Sequence, residues 1–344
     1  MIVIGIDAHK RTHTAVATDQ MGQQLSTKTV GTTSKDHLTL LRWATGKDDD
    51  RIWAIEDCRH LSRRLERDLI AAGERVVRVP PKLMAHARDS ARSYGKSDPI
   101  DALAVARAAL REPDLPVARL DGVEREIRLL VDHREDLVGE RTRIIARLRW
   151  HLHELDPGWT QPAKMERASA FVKVQTHVSD FAGLVADLAA RLVDHLRRLT
   201  VEIDELAAEI TSRTTVLAPS LLAIPGCGAL TAAKILGETA QVGRFHSKDA
   251  FARHNGTAPL PVWSSNHARH RLSRTGNRQI NAGIHRIALT QARCHAPARE
   301  LLDRRRKNGD GGMEALRVLK RRLSDVVFRA MVVDQSLAVI DAVA

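Results

Sequence analysis

Short apolar runs separated by turns fill the first third of the chain, and long apolar stripes at helical spacing fill its middle. Ile2 to Ile6 is a continuous apolar run that predicts a buried strand, and Asp7 ends it. Thr12 to Thr18 and Gln24 to Val30 predict two more strands, joined by the turns HKRT and DQMGQ, so that the three form an antiparallel meander. Leu38 to Trp43 then reads as a helix, Arg51 to Glu56 as a strand, Leu61 to Ile70 as a helix, and Arg75 to Val79 as a strand stopped by Pro80 and Pro81. The stretch DALAVARAAL, which begins at Asp101, predicts another helix. Further on, Ile127, Leu130, Val131, Leu137, Val138, Ile144, Leu148, Leu152 and Leu155 make one stripe, and Leu184, Leu188, Leu192, Leu196, Leu199, Ile203, Leu206 and Ile210 make a second. Spacings of three and four over so many turns predict a helical hairpin or a coiled coil, interrupted by DPGW at Asp156 to Trp159.

The order βββαβαβα of the first part is that of an RNase H-like domain, placed at residues 1–111. Glu112 to Pro116, EPDLP, reads as a linker. Residues 117–213 form the helical, coiled-coil region, whose stripes fit an intramolecular bundle or a dimerising one equally well. Its arginines, among them Arg141, Arg143, Arg147 and Arg149, also fit a phosphate track. Residues 216–344 form a mainly helical C-terminal domain that opens on LLAIPGCGALTAAKIL. That segment predicts a helix-hairpin-helix, in which the backbone amides of Gly226 and Gly228 hold a phosphate or simply make a tight turn. The fold class expected is therefore α/β followed by α.

Composition narrows the partners. The chain has 344 residues, with 54 Lys and Arg against 42 Asp and Glu, and a net charge of +12 that favours a polyanion, nucleic acid before membrane. No run approaches the roughly 18 apolar residues of a membrane span, which points to a cytoplasmic protein without a membrane partner. Cys58, Cys227 and Cys294 are far apart and include no CxxC pair, so neither a disulfide framework nor a structural zinc is expected. Aromatic residues make up 3%, too few for base stacking on an aromatic sheet to dominate binding.

Four carboxylates carry the candidate chemistry: Asp7 and Glu56 at two strand ends, and Asp98 and Asp101 three residues apart where a helix begins. Hard oxygen donors gathered in this way suit Mg²⁺. Each also has an ordinary reading, since an acid beside Pro99 caps a helix and acids at strand ends face solvent. The second concentration is Ser264 to Arg286, which holds five arginines, three histidines and no carboxylate. It reads as a basic loop facing nucleic acid, preceded by Ser264 and Ser265, whose hydroxyls serve as turn formers, phosphate donors or a nucleophile.

Taken together, GIDAHKRTHTAVATD, AIEDC and KSDPIDALAVA, followed by LLAIPGCGALTAAKIL, GTAPLPVWSS and HRLSRTGNRQIN, resemble the DEDD-type transposases of the insertion sequence 110 family, which are RNA-guided serine recombinases. The resemblance implies that Asp7, Glu56, Asp98 and Asp101 bind Mg²⁺ in a RuvC-like domain. It implies that the serine five residues after Pro259, Ser264, is the nucleophile. The family has glycine after that serine, whereas this chain has Ser265 and Asn266, so Ser265 stands as the alternative. Lys10, Gly226, Gly228, Arg269, Arg271, Arg274 and Arg278 are the expected nucleic-acid contacts. The resemblance further implies donor and target DNA duplexes, a structured guide RNA, and a homo-oligomer, dimer to tetramer, that joins the metal site and the serine from different subunits. A metal-dependent junction resolvase and a non-catalytic nucleic-acid binder are the competing expectations.

Overall fold

The N-terminal apolar run forms β1, Ile2–Ala8, and it lies at the centre of a five-stranded sheet. The computed structural model describes residues 1–56, 61–80, 83, 97–112, 115, 117–118, 122–264, 267–271 and 276–341, in two units, Met1–Asp121 and Gly122–Ala344. In the first unit β2, Thr12–Thr18, and β3, Gln24–Gly31, complete the antiparallel meander, while β4, Arg51–Glu56, and β5, Val76–Val79, add parallel strands on the other side. The sheet order is β3-β2-β1-β4-β5, the RNase H-like, RuvC-like arrangement expected from the order of elements. Helices α1, Ser34–Thr45, α2, Arg63–Ala71, and α3, Asp98–Arg111, accompany it.

A central strand covered on both faces has no need of alternation, and every residue of IVIGIDA is buried. Ile2, Ile4 and Ile6 pack on one face with Leu40 and Ala44 of α1 and Leu65 and Leu69 of α2. Each such fully buried isoleucine contributes roughly 1.5–3 kcal/mol relative to an exposed one. Val3 lies on the other face with Ala54, Val77 and, from α3, Ala104, Val105 and Ala108. Gly5 shares that second face, and a Cβ there would stand 2.0 Å from the Ala102 carbonyl oxygen and 2.5 Å from the Ala106 nitrogen. Only a glycine lets α3 come down directly onto β1.

The second unit is built around α4, Val123–Leu155, and α6, Leu184–Leu217, with α5, Ala168–Val178, between them in sequence. The ion pairs Glu126–Arg213, His133–Glu202 and Glu140–His195 run in opposite senses along the two long helices, so the pair is an antiparallel hairpin. Its stripes meet within this one chain: Ile144, Leu148 and Leu152 pack with Val193, Leu196 and Leu199, and Phe171 and Val174 of α5 join them. Then follow α7, Pro219–Leu222, α8, Ala229–Thr239, α9, Lys248–His254, the hairpin β6, Leu260–Ser264, and β7, His267–Arg271, and three helices, α10, Arg278–Cys294, α11, Ala296–Lys307, and α12, Gly312–Asp341. Among the described residues no helix is long and apolar enough to cross a membrane.

Candidate metal centre and basic hairpin

Strand alternation decides which side chains meet. Asp7 follows Val3 and Gly5 at every second position and therefore projects on the α3 face, and Glu56 follows Ala54 onto the same face. Parallel pairing of Ile6 with Ile55 brings the two strand ends level. The close seam at Gly5 sets the first turn of α3 over that end of the sheet. Asp98 is the first residue of α3, and Ser97 before it makes no side-chain cap, so the helix amides and dipole face this end of the sheet beside both α3 acids.

The residue that joins these acids escaped the sequence reading. His9 lies in the β1–β2 turn, and its Nε2 is 3.0 Å from Asp7 Oδ2 and 3.5 Å from Asp98 Oδ1. Ligand atoms of Asp7, His9 and Asp98 all lie within 4.8 Å of one another. The only signal for His9 in the sequence is its place two residues after Asp7, in HKRT. Asp7 is buried, whereas the side chains of His9 and Asp98 are 51% and 52% exposed, so the group opens to solvent on one side. Burial raises the Asp7 carboxyl above its ordinary range, His9 opposes the rise, and the charges of Asp101 and Asp98 add to it. Like charges crowded at a partly buried point are what a bound divalent cation relieves, and carboxylates supply the oxygen donors that such ions take. The donor set thus fits a divalent metal. Glu56 is half-buried at the end of β4, on the face that carries Asp7. Lys10 is exposed in the same β1–β2 turn.

In the second unit the segment read as a basic loop forms a hairpin, because HARHR takes an extended course and pairs back onto Leu260–Ser264. Ser264 ends β6 opposite His267, Arg269 pairs with Val262, and Arg271 pairs with Leu260. Ser265 and Arg274 lie outside the described residues. Arg278 is exposed at the start of α10, behind the cap made by the Asn277 side chain. The helix-hairpin-helix segment has a first helix of only four residues, α7. Gly226, at φ +84°, makes the turn, and a Cβ there would stand 3.0 Å from Thr290 Cβ. Gly228 is the N-cap of α8.

The family model described as a transposase of DEDD type, from insertion sequence 110, matches residues 4–157. A second, described as transposase of the IS116/IS110/IS902 family, matches residues 218–303. The chain is 28% identical to the uncharacterized 44.8 kDa protein of insertion element IS116 from Streptomyces clavuligerus, over 98% of this chain and 96% of that protein. It is 27% identical to the uncharacterized 42 kDa protein of insertion element IS900 from Mycobacterium paratuberculosis, over 97% and 96% of the two. Among solved structures, Thermus thermophilus RuvC in complex with Holliday junction substrate aligns with 34% of this chain and 99% of its own, at 16% identity and a TM-score of 0.28. Two family models in the expected order, together spanning well over half of the sequence, and relatives aligned almost end to end lead to one assignment: the chain belongs to the IS116/IS110/IS902 family of transposases.

Proposed function

We propose that this transposase exchanges DNA strands through a Mg²⁺-dependent site made by Asp7, Glu56, Asp98 and Asp101 and a covalent phosphoserine formed on Ser264. The observation that carries the metal site is the junction of Asp7 and Asp98 through His9, at the point where β1 meets the start of α3. When bound, the ion supplies Lewis-acid polarisation of the scissile phosphate. The Ser264 hydroxyl attacks phosphorus, so that a Ser–O–P bond to the 5′-phosphate forms, the P–O3′ bond breaks, and the strand leaves with a 3′-hydroxyl. A 3′-hydroxyl from the partner strand then attacks the phosphoserine, restores a phosphodiester and frees the serine. The basic segment around β7 supports this reading, because guanidinium groups stabilise the charge that develops on the phosphoryl oxygens.

Choice of donor and target duplexes falls in this reading to a structured guide RNA through base pairing, with Lys10, Arg269, Arg271, Arg274, Arg278 and the amides of Gly226 and Gly228 on phosphates. The helical region at 117–213 supplies subunit contacts in a dimer or tetramer acting on bacterial cytosolic DNA. Expression of the protein with its flanking DNA, followed by detection of the circular element junction, tests the chemistry. Asp7→Asn is expected to reduce junction formation by at least about a hundredfold, the scale of losing one electrostatic stabiliser. Ser264→Ala is expected to abolish it. If Ser264→Ala stays active and Ser265→Ala is dead, the nucleophile is Ser265; if both stay active, the covalent step is wrong and a metal-only nuclease or resolvase is the better account.

A further inference from the structure

The two ends of the β6–β7 segment are fastened together on one face of α12. Asn255 Nδ2 donates to Ser324 Oγ at 2.8 Å, Asn281 Nδ2 donates to the Asn255 carbonyl at 2.8 Å, and Lys320 Nζ donates to Asn281 Oδ1 at 2.6 Å. Gly276 closes the arrangement, because a Cβ there would stand 2.2 Å from the Gly256 nitrogen. Beside this clasp runs a cleft of about 880 Å³, lined by Gly256 to Pro259, Asn281 and α12, which continues into a smaller one of about 340 Å³ that reaches Arg278 and His285.

The charges in this cleft are unbalanced. Of the two carboxylates lining it, Asp310 takes Arg305 at 2.5 Å and Glu314 accepts from the Gly311 amide, while Arg321 is taken by Asp249 and Asp325. Arg317, Lys320 and Arg322 have no carboxylate partner among the described residues. Arg317 and Lys320 stand three residues apart on α12 and so share a face. Lys320 is the unusual member: it is 9% exposed, and its one partner among the described residues is the neutral amide oxygen of Asn281. An ammonium carries three donors, and a buried one without an anion is costly unless a ligand supplies the charge.

We propose that this cleft is a phosphodiester site that seats a DNA strand against the base of the β6–β7 hairpin, with Arg317, Lys320 and Arg322 on its phosphates. The DNA assignment rests on the proposed role of Ser264, since the cleft wall at Pro259 leads directly into β6, which ends on that serine. The electrostatics agree. Burial, and after it the charge of Arg317, holds the Lys320 amine below its ordinary range, and burial followed by Lys320 does the same to His285, so an anion entering here relieves both.

The full-length protein, in EDTA, is titrated with a labelled DNA duplex and a labelled RNA hairpin over a series of salt concentrations and read by fluorescence anisotropy. Arg317→Gln with Arg322→Gln is the principal variant, Lys320→Met the buried one, and Lys35→Gln on α1 the control. The proposal predicts roughly tenfold weaker DNA binding for the double variant, and a slope of log affinity against log salt that falls by about one per phosphate contact removed. Lys320→Met should lower the slope without removing either arginine, and Lys35→Gln should leave it unchanged. Equal slopes in wild type and both cleft variants, or a fall seen with the RNA alone, overturn the proposal. Because EDTA removes any contribution of divalent ions, a protein that still makes circular junctions but shows equal slopes loses only the cleft. A wild type that binds no DNA overturns the cleft, whereas the strand-exchange reading falls only if that protein makes no circular junctions.

Discussion

Asp7 pays for its position in burial, and that makes its charge separable from its shape. Replacement by the isosteric Asn removes a carboxylate that burial and two neighbouring acids already disfavour. Asp7→Asn is therefore expected to melt at or slightly above the wild-type temperature while losing the stabilisation that added Mn²⁺ or Mg²⁺ gives the wild type. Thermal scans with and without metal read both effects, and a variant that melts well below wild type would show that Asp7 is structural first. His13, on β2, carries the residue-scale pH effect. Burial, then His37, then His9, hold its imidazole down to about 4 from the ordinary 6.5, and its Nδ1 is buried without a hydrogen-bond partner among the described residues. Between those two values the unfolded chain takes up a proton that the folded chain refuses, so this contribution is complete above pH 6.5 and is lost as the pH falls toward 4. The loss amounts to at most about 3 kcal/mol. Melting followed from pH 7 down to pH 4.5 is expected to show a steep decline that His13→Gln flattens.

Among the elements, the seam between β1 and α3 governs the site without contributing an atom to it. Gly5→Ala forces a methyl into the Ala102 carbonyl, so α3 must move off the sheet and carry Asp98 and Asp101 with it. Overpacking of this kind costs about 1–3 kcal/mol or more. The expected result is a lower melting temperature and weaker metal binding by calorimetry, although no acid has been changed. This seam also marks how far the sequence was legible. The run Ile2 to Ile6 was readable because burial on both faces leaves it apolar throughout, the meander because turns divide its strands, and the two long stripes because burial on one face imposes a helical period. His9 was not readable, since only the turn of the chain brings it to both Asp7 and Asp98. The β6–β7 hairpin was hidden as well: HARHR has the composition of a solvated loop, and its strand character comes from pairing with Leu260–Ser264 rather than from propensity. Lys320, one cation among 54 Lys and Arg in the sequence, became distinctive only when its burial was known.

At the scale of the whole molecule, each apolar cluster among the described residues draws its members from one unit. The two apolar clusters around the sheet lie within Met1–Asp121, and the three helical clusters lie within Gly122–Ala344. A fragment of residues 1–121 is accordingly expected to fold alone, with a cooperative melt and the same metal-dependent stabilisation as the full chain. A fragment that is soluble but melts without a transition would show that its core is completed elsewhere. The close fit of Gly5 against Ala102 and Ala106 reaches beyond a single molecule. Genomes collect decaying copies of mobile elements, and an idle copy is released from the need for its acids before it is released from the need to fold. On the proposed reading of the site, small residues at these three positions record that a copy still folds, and Asp7, Glu56, Asp98 and Asp101 beside them record that it still acts. A copy with the first set and without the second is predicted to yield a well-folded protein that moves no DNA, which purification and a junction assay on a few natural copies would decide.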